Sequence, residues 1–214
     1  MQLPLTTLIA GCKTVADWNA IKASLADFND TILWTTAYND FYITRLNDRY
    51  LSPIKSIKHD GGYTGEGFSI MTIICSLIEF LETTHQGKNY RYRRNGDPPL
   101  GQYEYGASGQ IFIDFLSNQT PFNTQFNPQN ADDFYRNIRC GLLHEARTNG
   151  NWTIWGNSGN GTLIKKTSTE TIIYRDDFFD ALQEFINIHF KAYLLSSADR
   201  KEAFIRKFDK LCEE

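Results

Sequence analysis

Positive charge is not in excess over the chain: 22 Lys and Arg stand against 25 Asp and Glu, a formal net charge of -3. A protein coated in cations is excluded, so any contact with nucleic acid must use a local patch. No run of about 18 or more apolar residues is present, and no membrane-spanning helix is expected. The cysteines Cys12, Cys75, Cys140 and Cys212 form no CxxC pair, which excludes a zinc ribbon or a thioredoxin motif. HExxH, GxSxG and a phosphate loop ending in Gly-Lys-Ser/Thr are missing. His59 and His85 have no spaced partner for zinc. No metal site and no cofactor is therefore expected. Internal repeats and low-complexity blocks are absent too.

The 214 residues are 41% apolar and 22% charged. That composition belongs to a globular chain able to bury a large core without disulfides or metal. We read 1–214 as a single helical domain. Its cysteines read as buried free thiols of a reducing, cytoplasmic protein. Ile9-Ala10-Gly11-Cys12 has the look of a lipoprotein cleavage box. No Lys or Arg precedes it, and Pro4, Thr6 and Thr7 interrupt the apolar stretch, so export is not expected.

N-terminal helices are predicted within 14–50. Thr14 caps a helix through Trp18, Ile21 and Leu25, and a second covers Asn39 to Tyr50, ended or bent by Ser52-Pro53. Gly61 to Gly67 forms a glycine-rich loop before the next helix, but no strand precedes it. The central helix, 68–84, is apolar nearly all round and should be buried. Its polar residues Thr72, Ser76, Glu79 and Thr83 make one narrow stripe, which reaches solvent or faces a polar site. Residues 86–110 are loop-like, and Ile111 to Leu116 is a short helix. A helix over 131–147 begins at Asn130 and stops at Gly150. A β ribbon over 151–175 follows, with Asn157 to Gly161 as the turn of an antiparallel hairpin between Trp152–155 and Thr162–166; Thr171–174 is a third candidate strand. C-terminal helices cover 176–212, with His189 on an apolar face and Ser197 opening the last. The fold class is mainly α, an up-and-down helical bundle with a small inserted ribbon.

The helix over 131–147 is the most informative segment. Phe134, Ile138 and Leu142 fall on one side as a core stripe; Arg136, Asn137, Cys140, His144 and Arg147 fall opposite, with Arg139 between. Such a cationic face could bind phosphate, and it is equally what an ordinary solvated helix face looks like. A second patch, Lys88-Asn-Tyr90-Arg91-Tyr92-Arg93-Arg94, mixes four cations with two tyrosines, and Tyr103 and Tyr105 lie nearby. This mix suits single-stranded RNA, phosphate on cation and base on ring. A solvated loop or a dimer contact fits it as well.

Arg139-Cys-Gly-Leu-Leu-His144 resembles the Arg-x4-6-His motif of the HEPN superfamily. The wider string from Phe134 to Arg147 followed by Trp152 is similar to prokaryotic members of that group. So are Phe68 to Leu81 and Arg45 to Ile54, and the likeness touches about half the chain. It implies a HEPN-like bundle of four or five helices and a homodimer whose motifs meet. It implies a metal-independent endoribonuclease of a toxin-antitoxin or anti-phage defence system, with RNA or a nucleotide bound and an antitoxin or defence protein as partner. Arg139 and His144 would be catalytic: His144 the general acid or base, Arg139 the group that stabilises charge on phosphate oxygens. Residues five apart point about 140° apart on one helix, so a dimer is the natural way to assemble the pair. Cys140 departs from the family pattern, in which the residue after the Arg is often Asn, Asp or His. A thiol is a weak hydrogen-bonding group. That departure supports the alternative of a non-catalytic module binding nucleotide, RNA or protein.

Overall fold

The computed structural model describes residues 2–60 and 64–213. The chain is mainly helical, with small sheets of two or three strands. Two compact units interleave in sequence: 2–53, 83–106 and 190–213 build the first, 54–82 and 107–189 the second.

In the first unit Thr14 does cap a helix, Val15–Ser24. Its hydroxyl accepts from the Asp17 N–H at 3.3 Å, and the Asp17 carboxylate accepts from the Thr14 N–H at 2.8 Å. A short antiparallel hairpin, Leu8–Ala10 with Lys13–Thr14, precedes it and was not expected. The segment resembling a cleavage box is part of this hairpin, with Ile9 and Ala10 buried. Asp30 caps a helix from Thr31. Helical winding then continues through 38–60, so the helix expected over 39–50 is part of a longer run, and Ser52-Pro53 does not end it. The turns Tyr38–Ile43 and Asn47–Leu51 are wound as π-helix. The second of these ends two residues before Pro53 and contains Arg49, four residues before the proline. A wider turn accommodates the proline ring, which in a regular α-helix meets the carbonyl four residues back.

Trp18, Trp34, Tyr42, Phe204 and Phe208 form the fully buried centre of this unit. Trp18 meets Phe41 edge-on at 5.3 Å, and Tyr42 lies 4.6 Å from Phe190. Both indole N–H groups are satisfied: Trp18 donates to the Asp209 carboxylate at 2.9 Å, and Trp34 to the Asp27 carbonyl at 3.1 Å. Lys201 is buried with its ammonium donating to the carbonyls of Phe28 and Leu195 at 2.6 and 2.8 Å. Ser197 caps the last helix, Ala198–Leu211, as expected.

His85 packs in the same unit, its ring 6.2 Å from Phe190 and 5.8 Å from Tyr193. Burial, with the Arg200 guanidinium nearby, pushes its pKa down from 6.5 to about 3. The folded ring stays neutral where the unfolded ring takes a proton. Its contribution to stability is therefore complete above pH 6.5 and is lost as pH falls from 6.5 toward 3. Each pH unit in that window should cost up to about 1.4 kcal/mol. Urea denaturation at pH 7.5 and pH 5.0 should show the parent losing about 2 kcal/mol more than His85→Gln. Equal losses would show that His85 titrates normally in the fold.

The second unit contains most of the central helix, Glu66–Gln86. By length and composition alone this helix would suffice to cross a membrane, but 61% of its most apolar window is buried inside the protein, as expected of a central helix. The apolar residues Ile70, Met71, Ile74, Leu77 and Ile78 are fully buried, so this face serves the core. Of the glycine-rich loop, Gly61, Gly62 and Tyr63 lie outside the described residues. Beyond it, Glu66 in the helix's first turn pairs with Arg175. The unit also holds a phenylalanine cluster in which Phe134 and Phe178 stack 5.7 Å apart, 7° from parallel.

The ribbon differs from expectation. Its strands are Trp152–Trp155, Ile164–Lys166 and Thr171–Tyr174, and the third lies between the other two. It pairs parallel with the first and antiparallel with the second. Residues 157–161 therefore do not turn a hairpin. Instead Asp177 accepts from the N–H and hydroxyl of Ser158 at 2.7 and 2.9 Å, and Gln125 takes the Leu163 N–H at 2.7 Å. Those anchors let the chain cross to the far edge of the sheet. Residues 175–196 are helical as expected, with a π turn at Phe185–Phe190. His189 is not a core residue: it is partly exposed and bonds the Glu184 carboxylate at 3.2 Å, five residues back. A π turn places residues five apart on one side. All four cysteines are free, but only Cys75 and Cys212 are buried; Cys12 is exposed and Cys140 half-buried.

Candidate functional site

The motif helix starts earlier than its expected cap. Asn127, not Asn130, is the N-cap, and Pro128 takes the first helical position. Asn130 closes the capping box, exchanging bonds with Asn127 at 2.7 and 2.9 Å. The helix runs as Pro128–Phe134, a π turn Tyr135–Arg139, and Cys140–Glu145. It stops at Ala146 in the left-handed region (φ 52°), well before Gly150. The expected stripe of Phe134, Ile138 and Leu142 is buried.

Arg139 turns toward the central helix, where its guanidinium bonds the Glu79 carboxylate at 3.5 Å. Both side chains are about four-fifths buried, at 21% and 23% exposed, so solvent screens this pair less than a surface pair. The guanidinium also lies 5.6 Å over the Tyr135 ring. Arg139, Glu79, Thr72, Ser76, Leu143 and the buried Cys75 line one small cleft. Burial pushes the Cys75 thiol up, away from thiolate. The polar stripe of the central helix thus divides: Thr72 and Ser76 reach solvent, Glu79 faces the motif arginine, and Thr83 is buried.

The remaining polar residues of the motif helix do not form one cationic face. Arg136 pairs with Asp132 at 2.9 Å and Arg147 with Glu145 at 2.6 Å. Asn137 donates to the carbonyl and carboxylate of Asp133 at 3.0 and 2.8 Å. Its own carbonyl accepts from Asn149 at 2.8 Å, because the chain after the helix doubles back across this side. Cys140 is half-buried and His144 is exposed. Among the described residues, His144 makes no hydrogen bond or ion pair. The Asp132–Arg136 pair was legible as a four-residue spacing; the roles of Glu79 and Tyr135 needed the fold.

The basic, aromatic patch lies in the first unit. Asn89–Tyr90 pairs parallel with Glu104–Tyr105. Strand alternation sends Tyr90 and Tyr105 to one side, where their rings meet at 5.6 Å, and Arg91 and Glu104 to the other. Arg91 is engaged within its own loop. It bonds Glu104 at 2.7 Å and the carbonyls of Pro98 and Pro99 at 3.0 and 2.7 Å, and so braces the loop. Lys88 is half-buried, whereas Tyr90, Tyr92, Arg93 and Arg94 are exposed.

Among the described residues, no cluster of three His, Cys, Asp or Glu could hold a metal ion. Compared with known proteins, the chain matches no family model, no curated protein and no solved structure.

Proposed function

We propose that this chain is a HEPN-like endoribonuclease that cuts RNA without a metal, as a homodimer, in a toxin-antitoxin or phage-defence setting. The observation that carries the reading is the disposition of the motif pair. Arg139 is held in a cleft by Glu79, while His144, on the same short helix, is exposed and uncommitted.

In this mechanism His144 removes the proton from a ribose 2′-OH, and the 2′ oxygen forms a bond to the adjacent phosphorus. The bond from phosphorus to the 5′ oxygen breaks, and that oxygen takes a proton from the imidazolium of the second His144 that the homodimer supplies. The products are a 2′,3′-cyclic phosphate and a 5′-hydroxyl. Arg139, released from Glu79, stabilises the charge that builds on the phosphate oxygens. A second copy of the chain brings His144 and Arg139 to one phosphate, since a single helix points them apart.

A second reading, a HEPN-like module that binds RNA, nucleotide or a partner protein without cutting, draws on the Glu79–Arg139 pair itself. That pair neutralises the motif arginine. Cleavage of RNA in excess EDTA separates the two. The parent should leave cyclic phosphate ends, and His144→Ala should be about 100- to 10,000-fold slower. Equal cleavage by both would place the activity elsewhere. No cleavage by either, with RNA still bound, would establish the binding module.

A further inference from the structure

We propose that the 88–106 excursion of the first unit, together with Arg206, is a preformed platform for single-stranded nucleic acid, distinct from the motif helix. The cations of the two segments differ in what holds them. Arg136, Arg139 and Arg147 of the motif helix each pair with a carboxylate. Among the described residues, the exposed guanidinium groups of Arg93 and Arg94 pair with none. Arg93 donates only to the Asp97 carbonyl, and at Arg94 it is the backbone N–H that bonds the Asp97 carboxylate. On a chain with a net charge of -3, this segment carries four cations against two carboxylates.

The aromatic half of the platform is equally specific. Tyr90, Tyr92 and Tyr103 are 54%, 69% and 40% exposed. Large rings left in water within one short segment mark a contact surface. The last helix adds Arg206, whose guanidinium stacks 3.9 Å over the Tyr103 ring while a 3.6 Å contact ties it to the exposed Glu202, so its contribution is the stacked face more than a free charge. This stack presents a flat cationic and aromatic surface beside open tyrosines. Bases stack on such surfaces whatever their sequence, while phosphates meet the guanidinium groups. The loop is braced before any ligand arrives. Glu104 accepts from Arg91 at 2.7 Å and from the Gly101 N–H at 2.8 Å. A braced loop loses little entropy on binding.

The test is fluorescence anisotropy with labelled twelve-nucleotide single-stranded RNA, the matching DNA, and duplex RNA. It uses the full chain carrying His144→Ala, in EDTA, so that the failure of the nuclease reading and the failure of this one are separate results. Both single strands should bind more tightly than the duplex, and the tighter of the two identifies the physiological strand. Tyr92→Ala should raise Kd about tenfold or more. Arg93→Gln with Arg94→Gln should weaken binding and reduce the salt slope by about 1.4, for two phosphates. These side chains are exposed, and unchanged circular dichroism would verify the fold. The proposal is overturned if no strand binds, as a protein-docking surface would give, if Tyr92→Ala binds like its parent, or if Arg136→Gln with Arg147→Gln takes over the salt effect.

Discussion

Gly87→Ala should lower the thermal unfolding midpoint by about 5–15 °C, the largest loss of stability we expect from a single methyl group. Gly87 ends the central helix in the left-handed region (φ +65°). Its N–H bonds the Thr84 carbonyl at 3.2 Å and the Lys88 N–H bonds that of Thr83 at 2.9 Å, a Schellman cap. Alanine would strain that conformation by about 1–2 kcal/mol. The added Cβ would also lie 2.7 Å from the Ala203 Cα and 2.9 Å from the Arg206 guanidinium. Backbone cannot swing aside, so overpacking adds about 1–3 kcal/mol. Gly96→Ala is the control: its φ is +92° with open space around it, so it should show conformational strain alone. Equal shifts for the two variants would refute the close approach.

Gly141→Ala should destabilise the second unit by about 1–3 kcal/mol and impair whatever the motif helix does. Here the sign decides. Helix propensity alone would make alanine better by up to about 1 kcal/mol at an ordinary helical position. At Gly141 the new Cβ would lie 2.5 Å from the Arg147 carbonyl oxygen and 3.2 Å from the Asn149 nitrogen. The returning chain must then lift off the helix, taking with it the Asn149–Asn137 bond and the left-handed turn at Ala146. His144 sits two residues before that turn, so its position moves too. Denaturant titration gives the sign directly: a more stable variant would mean that the return leg is not held against Gly141.

The sequence made the elements legible where local chemistry decides them. The apolar run after Phe68, the caps at Thr14 and Ser197, and the Phe134, Ile138, Leu142 stripe each follow from a few neighbouring residues. Asn127 was legible as well, since a proline directly after an asparagine marks a helix start better than Asn130 does. Non-local pairing was not. Thr171–Tyr174 enters the middle of the sheet because its residues are buried on both faces, and nothing in a turn sequence dictates that. The Glu79–Arg139 bond joins residues 60 positions apart, and Arg206 reaches Tyr103 from the last helix. The polar stripe on the central helix narrowed the candidates to Glu79 without identifying its partner. Arg91 and Arg93 look alike in sequence; only the fold of the loop turns one into a brace and leaves the other open.

In alignment terms, a π turn is a one-residue insertion inside a helix. Among the described residues it occurs at Tyr38–Ile43, Asn47–Leu51, Tyr135–Arg139 and Phe185–Phe190. Matched without gaps against a straight α-helical counterpart, the chain slips at each by one residue, about 100° of helix face. Gaps are ordinarily penalised most heavily within helices. The Arg139–His144 spacing begins where one such insertion ends, so a counterpart lacking it would carry the motif one position closer to its own Phe134 equivalent.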